Sequence, residues 1–173
     1  NLTIDGIKLP EESKLALEDK WILTKFNALV ANVTAALDKF EVGVALSNIY
    51  DFTWDIFCDW YIELSKVRLS AQGTEENLVA QNVIAYILTG TLKLLHPFMP
   101  FITEEIYQAL PHVDESIMIS KYPEYNEAEC YADAGEQMER IISAIKAIRN
   151  RRSEMNIVPS RKAKVYIATK YTD

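Results

Sequence analysis

The sequence predicts an all-α fold, a helical bundle that ends in the first strand of a small following element. Three features predict it. Apolar residues recur at steps of three and four through several long stretches, the period of a one-sided helix. Two prolines, Pro97 and Pro100, divide the stretch at 95–110 into two helical ends. A two-residue alternation, the period of a strand, comes near the C-terminus at residues 162–168.

Residues 1–9 have no useful period and include no initiator Met, so the chain is expected to start inside something larger. Pro10 with Glu11 and Glu12 reads as a short helix start. The first long helix is expected at about 18–40, with Ile22, Phe26, Leu29, Val33, Leu37 and Phe40 on one side and Gly43 marking the turn out. A second helix is expected at about 45–69. Its stripe is Leu46, Ile49, Thr53, Ile56, Trp60, Leu64 and Val67, widened by Phe57 and Tyr61. Residues 70–73 break it. Thr74 is a good N-cap, and Glu75 and Glu76 suit a first turn, so a third helix should run over 75–95.

The residue ahead of a proline is pushed out of the α region, which should stop that helix by His96. Pro100 suits the first position of a new helix, where its missing N–H costs nothing. Glu104 and Glu105 then fall near the positive end of that helix's dipole. Phe98, Met99 and Phe101 are expected to plug the core at this corner. The fourth helix should end at Leu110 and Pro111. Residues 111–133 read as irregular and acidic, pinned to the bundle by Ile117, Met118 and Ile119, since an unpinned crossing of that length is uncommon. A fifth helix is expected at 134–154 with Met138, Ile141, Ile145 and Ile148 inward. A turn at 157–160 precedes the strand, which needs a partner from elsewhere.

At 173 residues the chain fits one domain, able to bury about 70% of its unfolded surface. No apolar run reaches the ~18 residues of a membrane span, and no basic-then-apolar leader is present. Cys58 and Cys130 are too few and too far apart for a disulfide framework or metal site, so reduced thiols in the cytosol are expected. The net charge of -7 argues at first against phosphate binding. The charge is polarised, however. Residues 1–139 carry 9 Lys/Arg against 23 Asp/Glu, whereas residues 140–173 carry 9 against 2. A basic face can thus sit on an acidic body, and the local face governs phosphate contact. The basic tail equally suits a solvated helix end.

Catalytic chemistry is not encoded. His96 and His112 have no Cys or acid at ligand spacing, and His96 reads as a cap on the preceding helix. There is no glycine-rich phosphate loop or nucleophile elbow. Asp59 and Glu63, one turn apart, read as structural, with Glu63 near Lys66 or Arg68.

Three blocks do carry a resemblance: LHPFMPFITEEIYQAL at 95–110, FCDWYIEL at 57–64 and IRNRRSEMN at 148–156, with SIMI at 116–119 and DKWIL at 19–23. In that order they closely resemble the valyl-tRNA synthetase family, in the anticodon-binding helical region that follows the catalytic domain. The resemblance covers roughly residues 18–167. FCDWYIE favours the valine enzymes over the isoleucine and leucine ones.

The resemblance implies a bundle of the class I aminoacyl-tRNA synthetase type at 18–156, a connector from the catalytic domain at 1–17 and the start of a small element at 157–173. No counterpart of the HIGH-like or KMSKS-like signatures occurs, so these residues should be inert alone. It further implies that the intact enzyme joins valine to its tRNA using ATP and magnesium, neither bound here, and that the partners are the anticodon arm of valine tRNA and the catalytic domain of the same chain. A cytoplasmic monomer is expected, with no membrane contact. The family's C-terminal coiled-coil arm is missing, which should leave affinity below the parent's.

Anticodon bases are unstacked and are read by aromatic or Arg planes plus hydrogen bonds to base edges. Two stretches offer such groups. Lys20, Trp21, Thr24 and Lys25 lie within about a turn and a half of the first helix, in a stretch the family uses for tRNA contact, usually with arginine. Lysine keeps the charge and loses the planar fork. Trp21 adjoins the inward Ile22 and reads either as a stacking platform or as core. Arg149 and Arg152, three apart on one face, could meet phosphate, or with Arg151 could serve the cation preference of a helix C-terminus. The alternatives are the same domain of an isoleucine-tRNA ligase, or a helical protein–protein interaction module.

Overall fold

The computed structural model describes residues 3–158, 160–162 and 164–166. Among them every regular element is helical, which bears out the all-α expectation. The chain divides into two compact units, Asn1–Met138 and Glu139–Asp173. The division falls within one residue of the charge switch. In the first unit, α1 (Leu17–Asp38) packs on a long second helix built of α2 (Val42–Asp51), a π-helical segment (Phe52–Ile62) and α3 (Glu63–Ser70). Next come α4 (Glu75–Leu95) and α5 (Pro100–Gln108); α6 (Ala132–Glu154) follows the irregular connector.

The end of α1 differs from expectation. Phe40 takes a left-handed conformation (φ 58°) and the Glu41 N–H closes on Ala36 O at 2.8 Å while the Phe40 N–H meets Leu37 O at 2.9 Å. This hydrogen-bonded stop is one where glycine usually sits. Phe40 is therefore outside the inward stripe, 90% exposed, and Gly43 lies inside α2. The second helix is also rotated from the predicted stripe. Its buried residues are Ala45, Ile49, Phe52, Phe57, Tyr61 and Ser65. The step of five from Phe52 to Phe57 is the π segment: one extra residue per turn carries the face from Ile49 onto Phe57 and leaves Leu46 and Val67 outward.

α1 and α4 run parallel. Arg68 near the end of α3 binds Asp19 in the first turn of α1, and Asn77 in the first turn of α4 donates to Arg68 O and Leu69 O. Further along, Phe26 of α1 lies over Tyr86 and Gly90 of α4. A Cβ at Gly90 would fall within 2.9 Å of Phe26 Cε1 and closer still to Cζ, so the close approach requires glycine there.

At the proline corner α4 stops at Leu95, although His96 keeps helical angles (φ -54°, ψ -40°). Pro97 ends the helix by withholding a donor rather than by turning His96. The Thr103 hydroxyl donates to Met99 O (2.9 Å) and faces His96 Nδ1 at 2.7 Å, which joins the two helices. Thr103 and Tyr107 are the inward residues of α5. Phe98 is half-buried, and the expected plug fails at Met99 and at Phe101, which is 90% exposed because it lies on the turn's opposite side.

The connector is pinned by one residue of the expected three. Ile117 packs with Leu92 and Tyr107, while Met118 and Ile119 point outward, as the three-residue period of a 3-10 turn requires. Glu104 holds the turn, accepting from Ser116 Oγ at 2.9 Å and Ile117 N–H at 3.1 Å.

On α6, Met138 and Ile142 are buried and Ile141 is exposed, so the inward face takes a step of four where a step of three was expected. Of the predicted strand, residues 162 and 164–166 are without regular structure, and 163, 167 and 168 lie outside the described residues. By length and composition α4 alone among the described residues could cross a membrane, and more than half of it is buried in this unit.

Two outcomes follow from this packing. Gly90→Ala gains about 1 kcal/mol of helix propensity but overpacks a buried Phe26 hemmed by Phe52 and Tyr86, at about 1–3 kcal/mol; a lower thermal midpoint is expected. The hydrogen bond from Gln108, then those from Ser116 and Ile117, lower the Glu104 pKa. A folded pKa below the unfolded one gives stability that is present above the unfolded value and lost as pH falls through the folded one. Urea titrations of wild type and Glu104→Gln should differ at pH 7 and approach one another as pH falls to and below the ordinary glutamate range.

Candidate nucleic-acid interface

The first candidate stretch is positioned by a buried ionic cluster. Asp19, fully buried, accepts four hydrogen bonds: Tyr61 Oη at 2.6 Å and Arg68 Nη2 at 2.7 Å on Oδ1, Arg68 Nη1 at 2.8 Å and the Ala16 N–H at 3.0 Å on Oδ2. Glu18 adds an ion pair to Arg68 at 3.0 Å. Burial, followed by the Asp19 charge, pushes the Tyr61 hydroxyl well above its ordinary pKa. Burial works against the Arg68 cation, and Asp19 and Glu18 outweigh it. The cluster fixes the first turn of α1, and with it the direction of the next two turns.

Those turns present Lys20, Thr24 and Asn27 to the connector. Asn27 Oδ1 accepts the Asn126 N–H (2.8 Å), and its Nδ2 donates to Asn126 O (2.5 Å) and Cys130 Sγ (3.0 Å). Thr24 Oγ1 accepts the Tyr131 N–H at 2.9 Å while donating to Lys20 O. Lys20 Nζ pairs with Glu12 at 3.2 Å and sits 5.4 Å from the centroid of the Tyr131 ring. Asn27, the residue that organises this clasp, was missed from sequence; its signal was a polar side chain within the apolar stripe.

The α1 candidates therefore separate. Trp21 is 2% exposed and is core, which corrects its reading as a stacking platform: no ring face is open to a base. Thr24 and Lys20 serve the connector. Lys25, half-buried at the surface, is the member of the set outside this clasp. A cavity of about 610 Å³ beside α4, lined in part by Phe26, Tyr86, Lys93, Tyr122 and Glu129, is no phosphate site by its chemistry, because Glu129 already holds the Tyr86 hydroxyl at 3.1 Å. Burial and then Glu129 raise the Tyr86 pKa.

In the second unit Arg152 closes the end of α6. Its Nη2 donates to Val158 O (3.0 Å) and Arg161 O (2.8 Å), and the Ile157 N–H returns to Arg152 O at 2.9 Å. Asn156 takes the left-handed conformation there (φ 53°), as a helix stop allows for asparagine. Arg151 pairs with Glu154 at 2.9 Å. Arg149 stands exposed on α6, whose stretch from Arg140 to Glu154 holds five Lys/Arg against one Asp/Glu, with three further acids ahead of it. Glu63 meets Lys66 as expected, while Arg68 turns to Asp19.

The chain belongs to the family of anticodon-binding domains of tRNA ligases, which it matches over residues 19–167. Its relatives are valine–tRNA ligases: that of Clostridium acetobutylicum is 48% identical over 166 residues, 96% of this chain and 19% of the relative. That of Thermotoga maritima is 47% identical over 163 residues, 94% and 18%, and that of Staphylococcus carnosus 44% over 156 residues, 90% and 18%. The chain thus spans about a fifth of the length of these relatives.

Removing one partner of a buried ion pair costs about 3–5 kcal/mol. Asp19→Ala should fall near the lower end, because Glu18 still faces Arg68. A urea titration reading the unfolding midpoint checks it.

Proposed function

We propose that this chain is the anticodon-arm recognition domain of a valine–tRNA ligase. It holds valine tRNA so that the acceptor end reaches a catalytic domain elsewhere in the parent chain, where ATP and magnesium act in a cytoplasmic, monomeric enzyme. Within this reading residues 18–156 form the recognition bundle, 1–17 join it to the catalytic domain, and 157–173 begin a further small element. The observation that carries the proposal is the family match over residues 19–167 together with valine–tRNA ligase relatives at 44–48% identity across nearly the whole chain.

The charge distribution supports the same reading. The first 139 residues hold a net charge of -14 and the last 34 a net of +7, so phosphate attraction concentrates on one stretch of an acidic protein. Affinity comes from phosphate contact at the exposed Arg149 foremost and at the half-buried Lys25 second, and base contacts add specificity. Lys20, Thr24 and Arg152 keep these surfaces in place through the bonds they make.

Binding to a valine-tRNA anticodon stem-loop, titrated across salt beside a loop with altered anticodon bases, tests this. Tighter binding to the valine loop, weakening as salt rises, is expected. Arg149→Glu and Lys25→Glu should each weaken both loops and lower the salt slope by about 1. Equal affinity for the two loops would remove base readout, and no binding at low salt would favour a protein-interaction module.

A further inference from the structure

Residues 3–16 lead into α1 with little burial to direct them. Their one regular element is the 3-10 turn Glu12–Lys14, and Leu15 is their one buried side chain. Polar bonds set their course instead. The segment runs back along the first turns of α4, where Thr3 meets Gln81, the Lys8 N–H meets Asn82 and Lys14 meets Glu75. The last two contacts lie at the surface, and an exposed ion pair such as Lys14 with Glu75 contributes little. The contact at Gln81 is of another kind.

Gln81 is 5% exposed, yet both groups of its amide are engaged. Its Oε1 accepts the Thr3 N–H at 2.6 Å, and its Nε2 donates to Thr3 Oγ1 at 3.0 Å and to Asn77 Oδ1 at 2.6 Å. Asn77 is buried too, and its Nδ2 donates to the carbonyls of Arg68 and Leu69. Arg68 carries the chain of bonds to Asp19, which accepts the Ala16 N–H. Thr3 and Ala16, the two ends of the segment, are thus tied to one buried polar network. Hydrogen bonds are directional where apolar contact is not. A buried network with its members satisfied is rigid, so this one fixes the heading of the backbone at residue 3 as well as its place.

We propose that Gln81, backed by Asn77, is a positioning residue for the transfer of valine to tRNA. It sets the direction in which the chain leaves this unit ahead of residue 3, and touches neither tRNA nor the reacting groups. The inference rests on the proposed function, which puts the catalytic part on that side of the segment. A reacting group misplaced by about 1 Å can lose ~100-fold in rate. The latch therefore acts on the transfer step and leaves anticodon binding and valine activation as they are.

Gln81→Met in the full-length parent enzyme tests it, because methionine keeps the length of the side chain and removes both polar groups. Hydrogen exchange in the peptide that holds Thr3 should rise. Single-turnover transfer of valine to tRNA should fall about tenfold, with tRNA affinity and valine-dependent ATP–pyrophosphate exchange within about twofold of wild type. Gly90→Ala, which strains the Phe26 crossing further along α4, is the control for stability and should leave transfer unchanged. Unchanged transfer in Gln81→Met, or unchanged exchange at Thr3, would overturn the proposal while anticodon binding stood. An equal loss of transfer in Gly90→Ala at a matched unfolding midpoint would assign the effect to general loosening and overturn it too. A wild-type chain that does not hold the valine stem-loop removes the proposed function itself, and this inference with it.

Discussion

The carboxylate of Asp19 is the point on which the first unit is hung. Out of water a carboxylate is tolerated only when its lone pairs are taken, and here Tyr61, both arms of Arg68 and the Ala16 N–H take four. Each donor comes from a different place: the chain ahead of α1, the π-helical segment and the end of α3. Through the carbonyls of Arg68 and Leu69 the same cluster reaches Asn77 and the start of α4. One desolvated charge thereby brings the starts of α1 and α4 to the end of α3. Arg68 Nε is left without a partner, so the satisfaction is nearly complete rather than total.

From that fixed end the helices extend with geometry that packing then adjusts. The π segment is the largest adjustment. It lets Ile49 and Phe57 both face inward from a helix that would otherwise rotate one of them out, and it places Tyr61 within 2.6 Å of Asp19. Gly90 is the complementary adjustment on α4, a missing side chain through which the Phe26 ring closes the crossing. Buried aromatic volume in α1 and the second helix is accommodated by these two departures from a regular α-helix.

The same arrangement divides labour among the polar residues. The connector returns along α1, and Asn27, Thr24 and Lys20 clasp it, which takes these polar groups into structural use. Arg152 does likewise at the end of α6. Cations that face solvent are then concentrated in the second unit, on a chain whose first unit is strongly acidic.

The sequence by itself determined the helical class, the helix order and most boundaries, because those depend on local periods, caps and prolines: Thr74, Pro97 and Pro100 each act where they stand. It also located the family, through the ordered motifs. Only the tertiary structure decided which face of each helix is inside. A step of three or four cannot tell Ile141 from Ile142, and a π segment is invisible to a rule built on 3.6 residues per turn. Nor could composition distinguish a lysine facing solvent from one engaged by Glu12 and Tyr131, or a tryptophan that stacks on a base from one that fills the core. Those choices turn on contacts such as Lys20 with Tyr131, residues 111 positions apart in the chain, or Asp19 with Arg68. Local pattern fixes an element's period and ends, whereas the phase of each element is set by what packs against it.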